Sequence, residues 1–143
     1  MSSNYEIELA RHGKIVYKNV GTSMLPFIRQ KKDLIIIKKR PEGRLKKYDA
    51  VLYKRDNSYI LHRILKVRKD DYVICGDNRR ILEYGITDEH IIGVLDAIVR
   101  DGKEILTTDR KYMFYVHLIC DLFPIRYGVI FIRDCLSKIK RAL

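Results

Sequence analysis

The pattern of this chain predicts a mainly β domain preceded by a short helix and followed by helical segments. Three observations carry that expectation. Between Lys14 and Arg100, β-branched and aromatic residues come in short runs separated by turn-forming stretches. Ahead of them, Tyr5 to His12 reads as a helix stopped by Gly13, which reaches the left-handed conformation without steric cost. Behind them, Tyr112 to Leu143 carries apolar residues at helical spacing.

The strand candidates follow in order. They are Ile15-Val16-Tyr17, Leu34 to Ile37, Ala50 to Tyr53, Tyr59 to Val67, Tyr72 to Cys75 and Ile91 to Val99. Arg55-Asp56-Asn57-Ser58, Lys69-Asp70-Asp71 and Asp101-Gly102-Lys103 read as turns between or after them. Many short strands at close spacing imply a mostly antiparallel sheet.

The C-terminal stretch Tyr112 to Ile132 has the length of a membrane span, yet Asp121, Pro124 and Arg126 fall near its middle. A charge at the bilayer centre costs about 2.5–3.5 kcal/mol, so two broken amphipathic helices are expected instead. Ile132, Cys135, Leu136, Ile139 and Leu143 share one face of the second, with Arg133, Lys138, Lys140 and Arg141 elsewhere. Such a segment either packs on the β domain or lies on an anionic membrane surface, with a true span the least favoured reading.

At 143 residues the chain is expected to form one core. Lys and Arg total 29 against 18 Asp and Glu, a net charge of +11, which favours an anionic partner such as nucleic acid or anionic lipid. Cys75, Cys120 and Cys135 form no C-x-x-C pair and are odd in number, so they read as thiols in a reducing compartment. Met1 to Lys18 holds no apolar run, so neither a secretion signal nor a spanning helix is expected there. His12, His90 and His117 are too scattered to argue for a metal site, and no cofactor is expected.

Three short signals carry chemistry: Gly21-Thr22-Ser23-Met24-Leu25-Pro26, Leu61-His62-Arg63 and Gly76-Asp77-Asn78. A serine hydroxyl needs a base to take its proton and a third group to orient that base. Ser23, His62 and Asp77 supply those types in that order, and histidine suits the base because its pKa lies near working pH. Gly21 permits close approach of a substrate, main-chain N–H groups near Ser23 and Met24 can face an oxyanion, and Pro26 fixes the chain beyond them. The same residues also read as a turn serine, a strand histidine and a tight turn. Lys66 offers an alternative base four residues beyond His62, on the same strand face if no bulge intervenes.

Together with Lys32 to Ile36 and Lys47 to Val51, these segments resemble the ordered boxes of type I signal peptidases and SOS-repressor-type self-cleaving proteases, over roughly residues 14–100. His62 resembles the base of the archaeal and endoplasmic-reticulum type. The resemblance implies a coiled, mixed β-sheet with Ser23 at the start of a strand edge, where an extended peptide adds as a further strand. It also implies serine endopeptidase chemistry, with Ser23 as nucleophile, His62 as base and Asp77 as acidic partner. A second acid commonly follows the Gly-Asp-Asn box in His-type members, and Glu83 is the nearest candidate here.

Residues 1–110 are accordingly expected to form a peptidase-like β domain and 111–143 an aromatic, basic, amphipathic helical tail. The expected partners are a peptide or protein substrate and an anionic membrane surface met by residues 112–143. The expected location is the cytoplasmic side of a membrane, or else the cytoplasm. A non-catalytic peptide-binding module of the same fold is the alternative. Nucleic acid, with Tyr17, Tyr53, Tyr59 and Tyr72 as stacking platforms, is the least favoured partner.

Overall fold

The computed structural model describes residues 4–143. Helix α1 (Asn4–His12) leads into eight strands: β1 (Lys14–Lys18), β2 (Leu34–Lys39), β3 (Ala50–Arg55), β4 (Ser58–Val67), β5 (Tyr72–Cys75), β6 (Glu83–Ile86), β7 (Ile91–Arg100) and β8 (Lys103–Leu106). Helices α2 (Arg110–Asp121) and α3 (Phe123–Ala142) complete the chain. The strands form one sheet in the order β1-β2-β7-β3-β4-β5-β6, with β8 also paired to β7, and every described ladder is antiparallel.

The expected elements form, and two strands are added to them. Strand β8 follows the Asp101-Gly102 turn, whose residues have φ of 50° and 80°. Two successive positive φ angles make the hairpin turn whose twist matches its strands. Strand β6 is only four residues long, too short for its alternation to stand out.

Central strand β3 explains how one sheet carries two cores. Its residues alternate, so Ala50 and Leu52 join a cluster with Leu9, Ile35, Ile37, Leu95 and Ile98, while Val51 and Tyr53 join Ile64, Tyr72, Ile74 and Val94 on the other face. Tyr112, Val116 and Cys120 of α2 belong to the first cluster. The residues beyond 110 are therefore in part core-forming.

The C-terminal segment forms two helices, as the charges near its middle predicted. Pro124 stands in the first turn of α3, where its missing N–H is no loss. The axes bend by 79° at the break, and among the described residues no single helix is long and apolar enough to cross a membrane.

Candidate active site

Alternation along β4 decides which groups meet. His62 lies opposite Val51, and Arg63 opposite Ala50. Directly opposed residues share a face, so His62 and Arg63 point to opposite sides of the sheet. The two side chains consequently recruit different carboxylates.

On its face, His62 is largely buried, and Nδ1 lies 3.1 Å from the Tyr53 hydroxyl and 3.2 Å from Glu83 Oε1. Tyr53 donates its one proton to Glu83 Oε1 at 2.8 Å. Nδ1 must then be the protonated nitrogen, donating toward Tyr53 and Glu83, and Nε2 is left with its lone pair. Arg55 holds the other Glu83 oxygen at 2.6 Å. Burial pushes the His62 pKa below its ordinary value, Glu83 pushes it back up, and Arg55 and Arg79 add to the lowering. The imidazole is thus held neutral at neutral pH.

On the opposite face, Asp77 is bound in fork geometry by buried Arg63, Nε to Oδ1 and Nη2 to Oδ2, each at 2.8 Å. The Tyr115 hydroxyl donates to Asp77 Oδ2 at 3.0 Å, and Arg63 also donates to the Tyr48 carbonyl and the Tyr112 hydroxyl. The expected pairing of Asp77 with His62 is therefore corrected: the carboxylate at Nδ1 belongs to Glu83. The physical reason is strand alternation, which turns the Asp77 partner away from His62.

Gly76 brings the serine and histidine segments together. A Cβ on this residue would lie 2.8 Å from the Ser23 carbonyl oxygen and 3.0 Å from His62 Nε2. Only glycine allows that approach without something shifting. The neighbouring Asn78 ties the serine segment down, its N–H donating to the Ser23 carbonyl at 2.8 Å and its side-chain amide to the Thr22 carbonyl at 3.1 Å. Ser23 lies in the turn-rich segment between β1 and β2, and not at the start of a strand. No hydrogen bond joins Ser23 Oγ to His62 among the described residues, and the N–H groups of Ser23 and Met24 also enter none.

The remaining candidates divide between solvent and core. Gly21 and Pro26 are exposed on the serine segment, whereas Met24 is 2 % exposed and packs in the core. Lys66 is exposed beyond an irregularity between Ile64 and Lys66, which breaks the alternation that would have set it beside His62. Among the described residues, no group of three His, Cys, Asp or Glu side chains is placed to hold a metal ion.

Helix α3 closes the site from above. Arg126 donates to the carbonyls of Gly76 and Asp77 at 3.1 and 2.7 Å, and Arg133 to Asn78 Oδ1 at 2.6 Å. Between this helix, His62 and the chain following Asn78 runs a cleft of about 500 Å³. A second cleft, about 440 Å³, lies between α3 and the serine segment at Leu25 and Pro26. Comparison with family models, curated proteins and solved structures returns no match.

Sequence reading missed Tyr53, Arg63 and the two α3 arginines. Arg63 stands beside His62 in the quoted signal, so its role was open to an alternation argument. Tyr53 and Arg126 become visible only once the sheet register and the helix docking are known.

Proposed function

We propose that this chain is a serine endopeptidase of the signal-peptidase type, acting on an extended peptide at a membrane surface. The observation that carries the reading is the clamped His62 ring, whose Nε2 lies 3.0 Å from where a Gly76 Cβ would stand, itself 2.8 Å from the Ser23 carbonyl oxygen. In this mechanism Ser23 Oγ attacks the scissile carbonyl while its proton passes to Nε2. Glu83 and Tyr53 hold the imidazole and balance the imidazolium that forms. The N–H groups of Ser23 and Met24, which enter no hydrogen bond among the described residues, are the donors this scheme assigns to the developing oxyanion. The carbon–nitrogen bond then breaks as His62 returns the proton to the leaving amine. Water, activated by the same ring, hydrolyses the acyl-serine.

Asp77 acts in this scheme as a positioning residue, tying the Gly76–Asn78 turn to Arg63 beneath it. The free edge of β6 and the two clefts, one lined by His62 and the other by Leu25 and Pro26, supply room for an added strand. The exposed apolar residues of α3 supply the surface for attachment to lipid.

The missing hydrogen bond between Ser23 and His62 favours a second reading, a peptide-binding module without turnover. Bonds of this kind are often long in the absence of substrate and tighten in the complex. Labelling with a small fluorophosphonate separates the two readings. Covalent modification mapped to Ser23 and lost in Ser23→Ala and His62→Ala is expected. Absence of labelling in folded wild-type protein would assign the chain to the binding module.

A further inference from the structure

The cleft beside His62 is lined by four arginines, Arg55, Arg79, Arg80 and Arg133, against two carboxylates, Glu83 and Asp134. Both carboxylates are already engaged. Glu83 is held by Arg55, and Asp134 by Arg133 at 2.9 Å and Arg80 at 3.7 Å. Arg79 has no carboxylate among the described residues: it donates to the Asn78 carbonyl at 3.2 Å and the Thr22 hydroxyl at 3.0 Å. Its Cγ also lies 3.0 Å from where a Gly76 Cβ would be, which sets this guanidinium at the junction of the serine and histidine segments. A planar guanidinium with neutral acceptors alone, at the mouth of a cleft with surplus positive charge, is suited to a carboxylate.

We propose that the substrate is an acidic peptide, which places an Asp or Glu side chain in this cleft on Arg79, with Arg80 and Arg133 adding to the field. The proposal rests on the peptidase reading for which bond is cut, but not for what the cleft binds.

Equilibrium binding to the full chain carrying Ser23→Ala tests this without requiring turnover. The probes are fluorescent extended peptides, identical except for Glu, Gln or Lys at alternate positions, read by anisotropy. The Glu peptide is expected to bind roughly 10-fold more tightly than the Gln peptide, as one charge-assisted hydrogen bond supplies. The Lys peptide is expected to bind weakest, and the differences to shrink with added salt. Arg79→Gln removes the Glu preference and Arg79→Glu turns it toward Lys; Arg79 is exposed, so both variants are expected to keep the wild-type circular dichroism. Equal binding of Glu and Gln peptides, no binding of either, or a preference indifferent to Arg79 would overturn the proposal. So would equal peptide binding together with Arg79-dependent binding to anionic vesicles, which would assign the cleft to lipid headgroups. Fluorophosphonate labelling of the wild type reads the serine chemistry separately, so failure of either reading is distinguishable.

Discussion

The two carboxylates near the site differ in what their removal should do. Glu83 touches the imidazole and raises its pKa against the larger lowering by burial. A histidine base works only when neutral, so reactivity falls as pH drops through its pKa. With that pKa depressed, the wild-type labelling rate is expected to hold below the ordinary histidine range, near pH 6.5. In Glu83→Gln the raising influence is gone, so the acid limb is expected to move to still lower pH while the plateau falls because the ring is less well held. Rates of fluorophosphonate labelling against pH measure both. An acid limb shifted upward would mean that Glu83 does not face the ring in solution. Removing the base itself, in His62→Ala, is expected to cost about 10²–10⁴-fold in labelling rate. Ser23, His62 and Asp77 could be singled out in the sequence, with Glu83 as a second acid, but which of the two carboxylates meets His62 could not. That choice depends on the face of β4 that each residue takes, and the face becomes known only with the register against β3.

At the scale of elements, the Gly76–Asn78 turn is the joint between β5, the serine segment and both C-terminal helices. Asp77 reaches Arg63 on β4 and Tyr115 on α2, Asn78 reaches Thr22 and Ser23, and α3 reaches the turn through Arg126. The Arg63 and Asp77 side chains are each 1 % exposed. Removing one partner of such a pair leaves an uncompensated buried charge, at a cost of about 3–5 kcal/mol. Asp77→Asn is therefore expected to lower unfolding stability by several kcal/mol, and the Arg63→Met, Asp77→Leu double variant by clearly less than the sum of its singles. Denaturant titration measures all of them. Additive losses would mean that the pair is not coupled. Most strands were legible because their β-branched runs are bounded by turn residues. Strand β8 announced itself through Asp101-Gly102, a strong hairpin signal that the turn assignment left unextended. Strand β6 did not, since Glu83-Tyr84-Gly85-Ile86 has neither length nor a buried face: only Ile86 of the four is buried. The break between α2 and α3 was legible from Pro124 and the nearby charges, whereas the docking of α3 through Arg126 was not, because no local pattern marks which arginine turns inward.

Across the whole molecule, helix α3 has two unlike faces, and their division points to an attachment surface. Its inner face carries Arg126, Ile130 and Asp134, which meet the Gly76 turn, the core or Arg80. Its outer face carries Ile125, Val129, Ile132, Leu136 and Ile139, each between 57 % and 64 % exposed. Their spacing of three or four residues keeps them on one stripe. Lys138, Lys140 and Arg141 follow in the last turns and are exposed. Burying each large apolar side chain contributes up to about 1.5–3 kcal/mol, and each basic residue near an anionic surface about 1 kcal/mol. Those terms together are of the order of the cost of immobilising one small domain, about 4–15 kcal/mol. The same helix lines the cleft at His62, so lipid contact on its outer face would hold the cleft beside a membrane-borne peptide. Flotation with vesicles is expected to recover the protein with anionic lipid, less so in high salt or with zwitterionic lipid alone. Ile132→Glu with Leu136→Glu is expected to abolish recovery while leaving fluorophosphonate labelling of Ser23 unchanged, because neither residue faces the turn. If the variant still floats, the stripe is not the attachment surface. If the wild type stays in solution as a dimer that the same two substitutions make monomeric, by sedimentation velocity, the stripe is a protein interface and the membrane reading fails.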